Sequence, residues 1–251
     1  MRDIESYQKE YDKLPFEAYQ VEYRRKKVKE LLLQNHHKTV LEIGCGMKPL
    51  FFDTKGVEKW VIVEPNKVFF ENANNYSNED IVCINKFFED AVEDIKKLNI
   101  KFDYVVVSCL LHEVPEPQRL LGAIYEVCSE NTVIHINVPN ALSVHRLLAV
   151  EAGFIQNVYE TSQTQKLMQQ REQVYDLDSL KKESELAGFE VLEGGSFFVK
   201  PFTHSQMQAC IDKEIFNTRV LDGFYNLIKY MPELGSEIYV QVKTKGVFGC
   251  R

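Results

Sequence analysis

The sequence contains no run of eighteen apolar residues, so it offers no helix able to cross a bilayer. Its opening, MRDIESYQKE, has no apolar stretch behind the charges, and no secretory leader is visible there. Basic residues are not in excess. Against 30 Lys and Arg stand 37 Asp and Glu, a formal charge of -7, which disfavours duplex DNA or an anionic membrane surface as partner. Six cysteines (Cys45, Cys83, Cys109, Cys128, Cys210 and Cys250) form no C-x-x-C pair, which argues against both a zinc cage and a disulfide framework. They read as reduced thiols, mostly core filling, and no metal is expected. Repeats and low-complexity tracts are also missing. The expectation is a cytoplasmic protein with no membrane insertion and no nucleic-acid partner.

What is present is enough apolar material for one sizeable core: 45% of the 251 residues are hydrophobic and 12% aromatic. Strand-like runs recur as TVLEIG, WVIVE at 60–64, IVCIN at 81–85, FDYVVVS at 102–108 and TVIHINV at 132–138. Segments of helical length with charged faces separate them, such as EPQRLLGAIYEVCSE at 116–130. Continuous Val/Ile strands alternating with helices predict an α/β fold with a doubly wound, mostly parallel sheet covered on both faces. Ahead of it, Val21, Val28, Leu31 and Leu32 share one helical stripe with Arg24, Arg25, Lys26 and Lys27 on the other side, predicting a helix over about 16–35. Behind it, ALSVHRLLAVEAGF predicts a helix capped near Asn140 and closed at Gly153. A polar connector and a helix from the Asp before Leu177 to Gly188 follow, then two late strands with a helical insertion between them.

The stretch TVLEIGCGMKPLFF carries the strongest chemical signal. Where a parallel strand gives way to a helix, main-chain N–H groups can meet a ligand if no Cβ stands in the way, and Gly44 and Gly46 supply that clearance. Alone, two such glycines mark no more than a tight turn. A dinucleotide turn would show G-x-G-x-x-G, yet Pro49 holds the third position, and Glu42 would repel a pyrophosphate. A nicotinamide dinucleotide therefore stays the second choice. Twenty residues beyond Gly44, Glu64 ends the second strand and can accept both hydrogen bonds of a ribose diol. A ligand with a ribose, a positive charge and no phosphates suits both acids, and S-adenosylmethionine is such a ligand.

On Glu42, Gly44, Gly46 and Glu64 the sequence resembles the class I S-adenosylmethionine-dependent methyltransferases, whose first motif is h-h-D/E-h-G-x-G. The resemblance covers about residues 38–138. It implies the Rossmann-like methyltransferase sheet with an antiparallel last strand, a helical segment or lid over 1–36, a cofactor half over 37–138, and an acceptor half over 139–251 with an insertion at 202–234. It further implies S-adenosylmethionine as cofactor and S-adenosylhomocysteine as product. Glu42, Gly44, Cys45 and Gly46 would hold the methionine end, and Glu64 with Pro65 the ribose. In KFFED, Glu89 would face the adenine with Phe88 beside the ring, Asp90 being adjacent. Ser108, Cys109 and Leu110 of SCLLHEVPEP would line the methionine moiety.

Methyl transfer from a sulfonium is an in-line displacement, so a base is needed only for a reluctant nucleophile such as an alcohol. His36 and His37 fall in a polar connector and read as solvated; His204 is uninformative. His135 alternates within the fifth strand and reads as a hydrogen-bonded core residue. His112, at the carboxyl end of the fourth strand, and His145 are the candidate bases, with Glu113 next in the same turn. NVPNALSVHRLL leaves the fifth strand toward the same rim, which would place Asn140, His145 and Arg146 near the acceptor. It is similar to a string of bacterial methyltransferases of sugar and cell-surface polysaccharide assembly, whose following loop corresponds here to REQVYDLDSL, and Arg171, Tyr175 and Lys200 are the further candidate acceptor contacts. The basic three could meet an anionic sugar nucleotide. The expected activity is O-methylation of a small molecule, a sugar or sugar nucleotide. An amine N-methyltransferase and a non-catalytic cofactor-binding module are the alternatives, and an oligomer is left open.

Overall fold

The computed structural model describes residues 14–34, 36–160 and 173–246. Helix α1 (Glu17–Gln34) contains neither Pro nor Gly and leads into β1 (Thr39–Ile43). Then come β2 (Lys59–Val63), α2 (Lys67–Asn74), β3 (Ile81–Ile84), α3 (Phe88–Lys97), β4 (Tyr104–Ser108), α4 (Pro117–Val127) and β5 (Val133–Pro139). The second half adds α5 (Val144–Glu151), α6 (Leu177–Leu186), β6 (Phe189–Phe197), α7 (His204–Asp212), α8 (Thr218–Asn226) and β7 (Glu237–Thr244). No helix among the described residues is long and apolar enough to cross a membrane.

The seven strands form one sheet in the order β3-β2-β1-β4-β5-β7-β6. Strands β1 to β5 pair in parallel, and β7 runs antiparallel to both of its neighbours. Alternate residues serve opposite faces. Leu41, Val61, Val105 and Ile134 pack under α3, α4 and α6 through Ile95, Ile124 and Leu180. Val40, Trp60, Ile62, Tyr104 and Val106 pack under α1 and α2 through Val28, Leu32 and Ala73. Since both faces are covered, the strands are apolar at nearly every position. A third cluster, with Phe16, Tyr23, Phe198, Met207, Leu221 and Tyr225, fastens α7 and α8 to the start of α1.

Caps place the helix starts. Asn66 accepts from the N–H groups of Val68 and Phe69, and capping boxes open α6 (Asp176 with Ser179) and α7 (Thr203 with Gln206). The helix expected to cap near Asn140 begins three residues later, at Ser143. Asn140 is engaged elsewhere: its amide donates to the carbonyls of Glu233 and Gly235 at 2.9 and 2.8 Å, tying the end of β5 to the loop before β7.

The polar face expected for α1 is corrected in two places. Arg24 and Arg25 point inward, because each finds enough acceptors to replace its hydration. Arg25 is 6% exposed, donates to the carbonyls of Lys48 and Pro49, and pairs with Asp53 at 2.5 Å. Arg24 reaches Glu237 of β7. His37 is also not solvated: it is half-buried, its ring 4.7 Å from that of Tyr104, and burial lowers its pKa.

Candidate functional site

A cavity of about 1220 Å³ opens at the carboxyl ends of β1, β2, β4 and β5, where the strand order reverses between β1 and β4. One end is built by the turn after β1. Gly44 and Gly46 have φ of 75° and 58°, a left-handed backbone that a side chain would strain. A Cβ on Gly46 would meet nothing within 4 Å, so the turn leaves its backbone bare toward open space.

Two carboxylates face this turn. Glu42, the fourth residue of β1, accepts from the Leu50 N–H at 3.0 Å and is 5% exposed. Burial pushes its pKa up to about 8, against the pull of the Leu50 hydrogen bond and the Arg25 guanidinium, with the like charge of Glu64 adding to the rise. Glu64, just beyond β2, accepts from the N–H of Asn66 at 2.8 Å and of Gly46 at 3.2 Å. Burial raises its pKa as well. A glycine turn without side chains, beside two buried acids that resist ionising alone, favours a ligand that brings positive charge and hydroxyl donors. S-adenosylmethionine fits this donor set.

The cavity continues past Ser108, Cys109 and Leu110 to a second end walled by α1, α5, α7 and the start of β7. Cys109, the residue after β4, has φ 54°, and burial holds its thiol well above its ordinary pKa. Glu237 anchors the wall. It accepts from Arg24 Nε and Nη2 at 2.9 and 2.8 Å, from Gln20 at 2.9 Å and from Asn137 at 2.9 Å. His112 and Glu113 lie in the turn after β4, both buried, with Nε2 of the imidazole 3.7 Å from the carboxylate.

Residues 16–193 match the methyltransferase domain family. The chain belongs to that family. No curated protein sequence matches it. Among solved structures it is similar to the plantazolicin methyltransferase BamL, crystallised with a triazolic desmethylPZN analogue and S-adenosylhomocysteine, at 13% identity and TM-score 0.58 over 92% of this chain and 88% of that one. A methyltransferase of Archaeoglobus fulgidus shares 20% identity at TM-score 0.51, covering 91% and 99%. One of Thermotoga maritima, described as a possible histamine N-methyltransferase, shares 15% at TM-score 0.55, covering 92% of both.

The protein is thus an S-adenosylmethionine-dependent methyltransferase with the sheet expected of one. In this methyltransferase Glu42, Gly44, Cys45, Gly46, Glu64, Pro65, Glu89, Ser108, Cys109 and Leu110 all line the one cavity, as do His112, Glu113, Asn140, His145, Arg146 and Lys200. Phe88 touches it too, but its side chain is core, 3% exposed; Phe87 is the ring left open at the rim, at 37%. Arg146 is engaged by the carbonyls of Val158, at 2.8 Å, and Glu160. Tyr175 is buried beside Asn140 and is not among the lining residues; its backbone bridges to Asn140. Arg171 lies outside the described residues. His135 is core, fully buried, with Nε2 3.2 Å from Asn137 Oδ1 and burial lowering its pKa to about 4.

Sequence reasoning missed Glu17, Gln20 and Arg24 of α1, Glu237 of β7 and His204 of α7, all at the second end of the cavity. One signal was available. Glu17, Gln20 and Arg24 follow an i, i+3, i+7 spacing and so share a helical face, which is unusual as an inward stripe because it is wholly polar.

Proposed function

We propose that this methyltransferase acts on a hydroxyl group of a small polar acceptor, with a sugar or sugar-nucleotide intermediate of surface polysaccharide assembly as the candidate class. The observation that supports the reading is the imidazole–carboxylate pair of His112 and Glu113, which lines the same cavity as the glycine turn. When bound, S-adenosylmethionine supplies a methyl group on a sulfonium. The chain's own part is alignment, exclusion of water and removal of one proton. Glu42 and the Gly44–Gly46 turn would take the methionine end, Glu64 the ribose diol, and Glu89 the adenine.

His112 would accept the proton of the hydroxyl, with Glu113 stabilising the imidazolium. Of the two histidines expected as bases, His145 is the poorer. Burial, with the charges of Lys200, His204 and Arg146 around it, holds its pKa well below the ordinary value, so it keeps an acquired proton badly. Residues 1–36 would act as a helical cover, with a cofactor half over 37–138 and an acceptor half over 139–251; the support for this is that α1 lines the second end.

A methyl-transfer assay with hydroxyl and amine acceptors tests this. For a hydroxyl acceptor, His112→Asn should lower kcat about 100- to 10,000-fold with unchanged affinity for S-adenosylhomocysteine, and the acid limb of the pH–rate profile should vanish. The buried carboxylates of Glu17 and Glu113 favour a second reading, an amine acceptor drawn in as its ammonium. In that case the rate survives His112→Asn and the pH profile follows the substrate's own pKa.

A further inference from the structure

The second end of the cavity contains polar atoms without partners. Lys200, in the loop after β6, is 4% exposed and lines the cavity, yet among the described residues its ammonium makes no hydrogen bond and has no carboxylate within 4.0 Å. Nδ1 of His145 is buried and lacks a hydrogen-bond partner, as is Nε2 of His204, which stands 3.8 Å from Glu17, too far for a hydrogen bond. All three side chains line the same cavity. The two histidines come from the first turns of α5 and α7, where helix dipoles favour negative charge. The nearby carboxylates are already engaged. Glu237 is held by Arg24, Gln20 and Asn137, and Glu17 by Arg24 at 3.3 Å.

An ammonium on a side chain only 4% exposed is costly to hold without an acceptor, and buried polar atoms without partners are rare in folded proteins. Lys200 lines the cavity beside the two imidazoles, and an anionic group of the acceptor placed there would supply the partner its ammonium lacks. We propose that this end of the cavity is an oxyanion subsite, in which Lys200, His145 and His204 hold a carboxylate or phosphate group of the acceptor and thereby select which of its hydroxyls meets the methyl donor. The inference rests on the reading of this cavity as the acceptor site and deepens it by assigning the place and the residues that hold the acceptor's anionic group.

Burial lowers the pKa of Lys200 to about 8 and those of both imidazoles well below normal. Glu17 and Glu237 raise that of Lys200 while Arg24 lowers it; Lys200 and Arg24 lower that of His204, and Lys200, His204 and Arg146 that of His145. An anion set among the three reverses the penalty on their charged forms, so its binding draws protons from solution and strengthens as pH falls.

The experiment follows the histidine imidazoles by NMR across pH, with and without saturating S-adenosylhomocysteine, and adds inorganic phosphate, glucuronate or glucose. Either anion should raise the pKa of His145 and His204 by about one unit or more, as a nearby opposite charge does, and glucose should not. A response to phosphate alone assigns a phosphorylated acceptor, and a response to glucuronate alone a carboxylated one. Lys200→Met should weaken the anion about 10- to 100-fold while S-adenosylhomocysteine, bound at the other end, keeps its affinity and reports the fold. Imidazole responses that are absent, equal for glucose, or unchanged in Lys200→Met would overturn the subsite. Failure of S-adenosylhomocysteine to bind would instead remove the cofactor reading and leave the imidazole result to stand by itself.

Discussion

Glu42 should make the ligand-free methyltransferase less stable as pH rises. Its folded-state pKa of about 8 lies far above the ordinary 4.5, so the folded protein keeps a proton that the unfolded chain releases. The sign follows from linkage: the penalty is absent below the unfolded pKa and grows as pH climbs toward the folded one. Each unit of difference is worth about 1.4 kcal/mol, so the carboxyl costs the fold roughly 1 kcal/mol at pH 5.5 and roughly 3 kcal/mol at pH 7. Glu42→Gln keeps the shape and an oxygen to accept from the Leu50 N–H, 3.0 Å away, but cannot ionise. The variant should therefore melt higher without cofactor, by on the order of 5–10 °C at pH 7, and by much less at pH 5.5. It should also bind S-adenosylhomocysteine more weakly, because the ligand's ammonium loses its counter-charge. Thermal and urea denaturation at the two pH values, with calorimetry for the ligand, measure all three. An advantage that is absent, or equal at both pH values, would refute the account of Glu42.

Three other expectations follow from named contacts. Glu64→Ala removes the acceptor facing the Gly46 N–H and should cost about 1.5–3 kcal/mol of S-adenosylhomocysteine affinity, read by calorimetry. Arg24→Met strands Glu237, which is 2% exposed, and should lower unfolding free energy by about 3–5 kcal/mol in urea titrations. Gly235→Ala puts a Cβ 2.4 Å from the Phe197 carbonyl oxygen and 2.5 Å from its nitrogen, backbone atoms that cannot turn aside. A loss of about 3 kcal/mol is expected in the same assay, and a variant of unchanged stability would show that the loop has room to move.

The parallel sheet was legible because both its faces are covered: strands apolar at nearly every position, such as YVVVS, have no other common use. The cofactor end was legible for a related reason. Glu42, Gly44, Gly46 and Glu64 sit within or just after strands, so their spacing in sequence carries their spacing in space. The acceptor end follows no such rule. Its wall joins Arg24 of α1 to Glu237 of β7, 213 residues apart, with His204 arriving from a third element. Arg24 read as solvent-facing because an inward arginine is improbable until its carboxylate is known, and nothing local announces that carboxylate. His204 read as uninformative in the late insertion, since Glu17 meets it only after folding.

That bond between α1 and β7 also sets an order of events in the ribosome's output. The turn with Gly44 and Gly46 needs only β1, β2 and β4 beside it, all complete by Ser108. The acceptor wall has to wait for Glu237, so over more than a hundred further residues of synthesis Arg24 and Gln20 face solvent with no carboxylate to meet. A pairing this distant in sequence forms late and slowly. Nascent chains released before β7 should accordingly hold the cofactor's cradle in something near its final form while lacking any enclosure for a second substrate, which leaves methyl transfer as a property acquired only with the closing strand of the sheet.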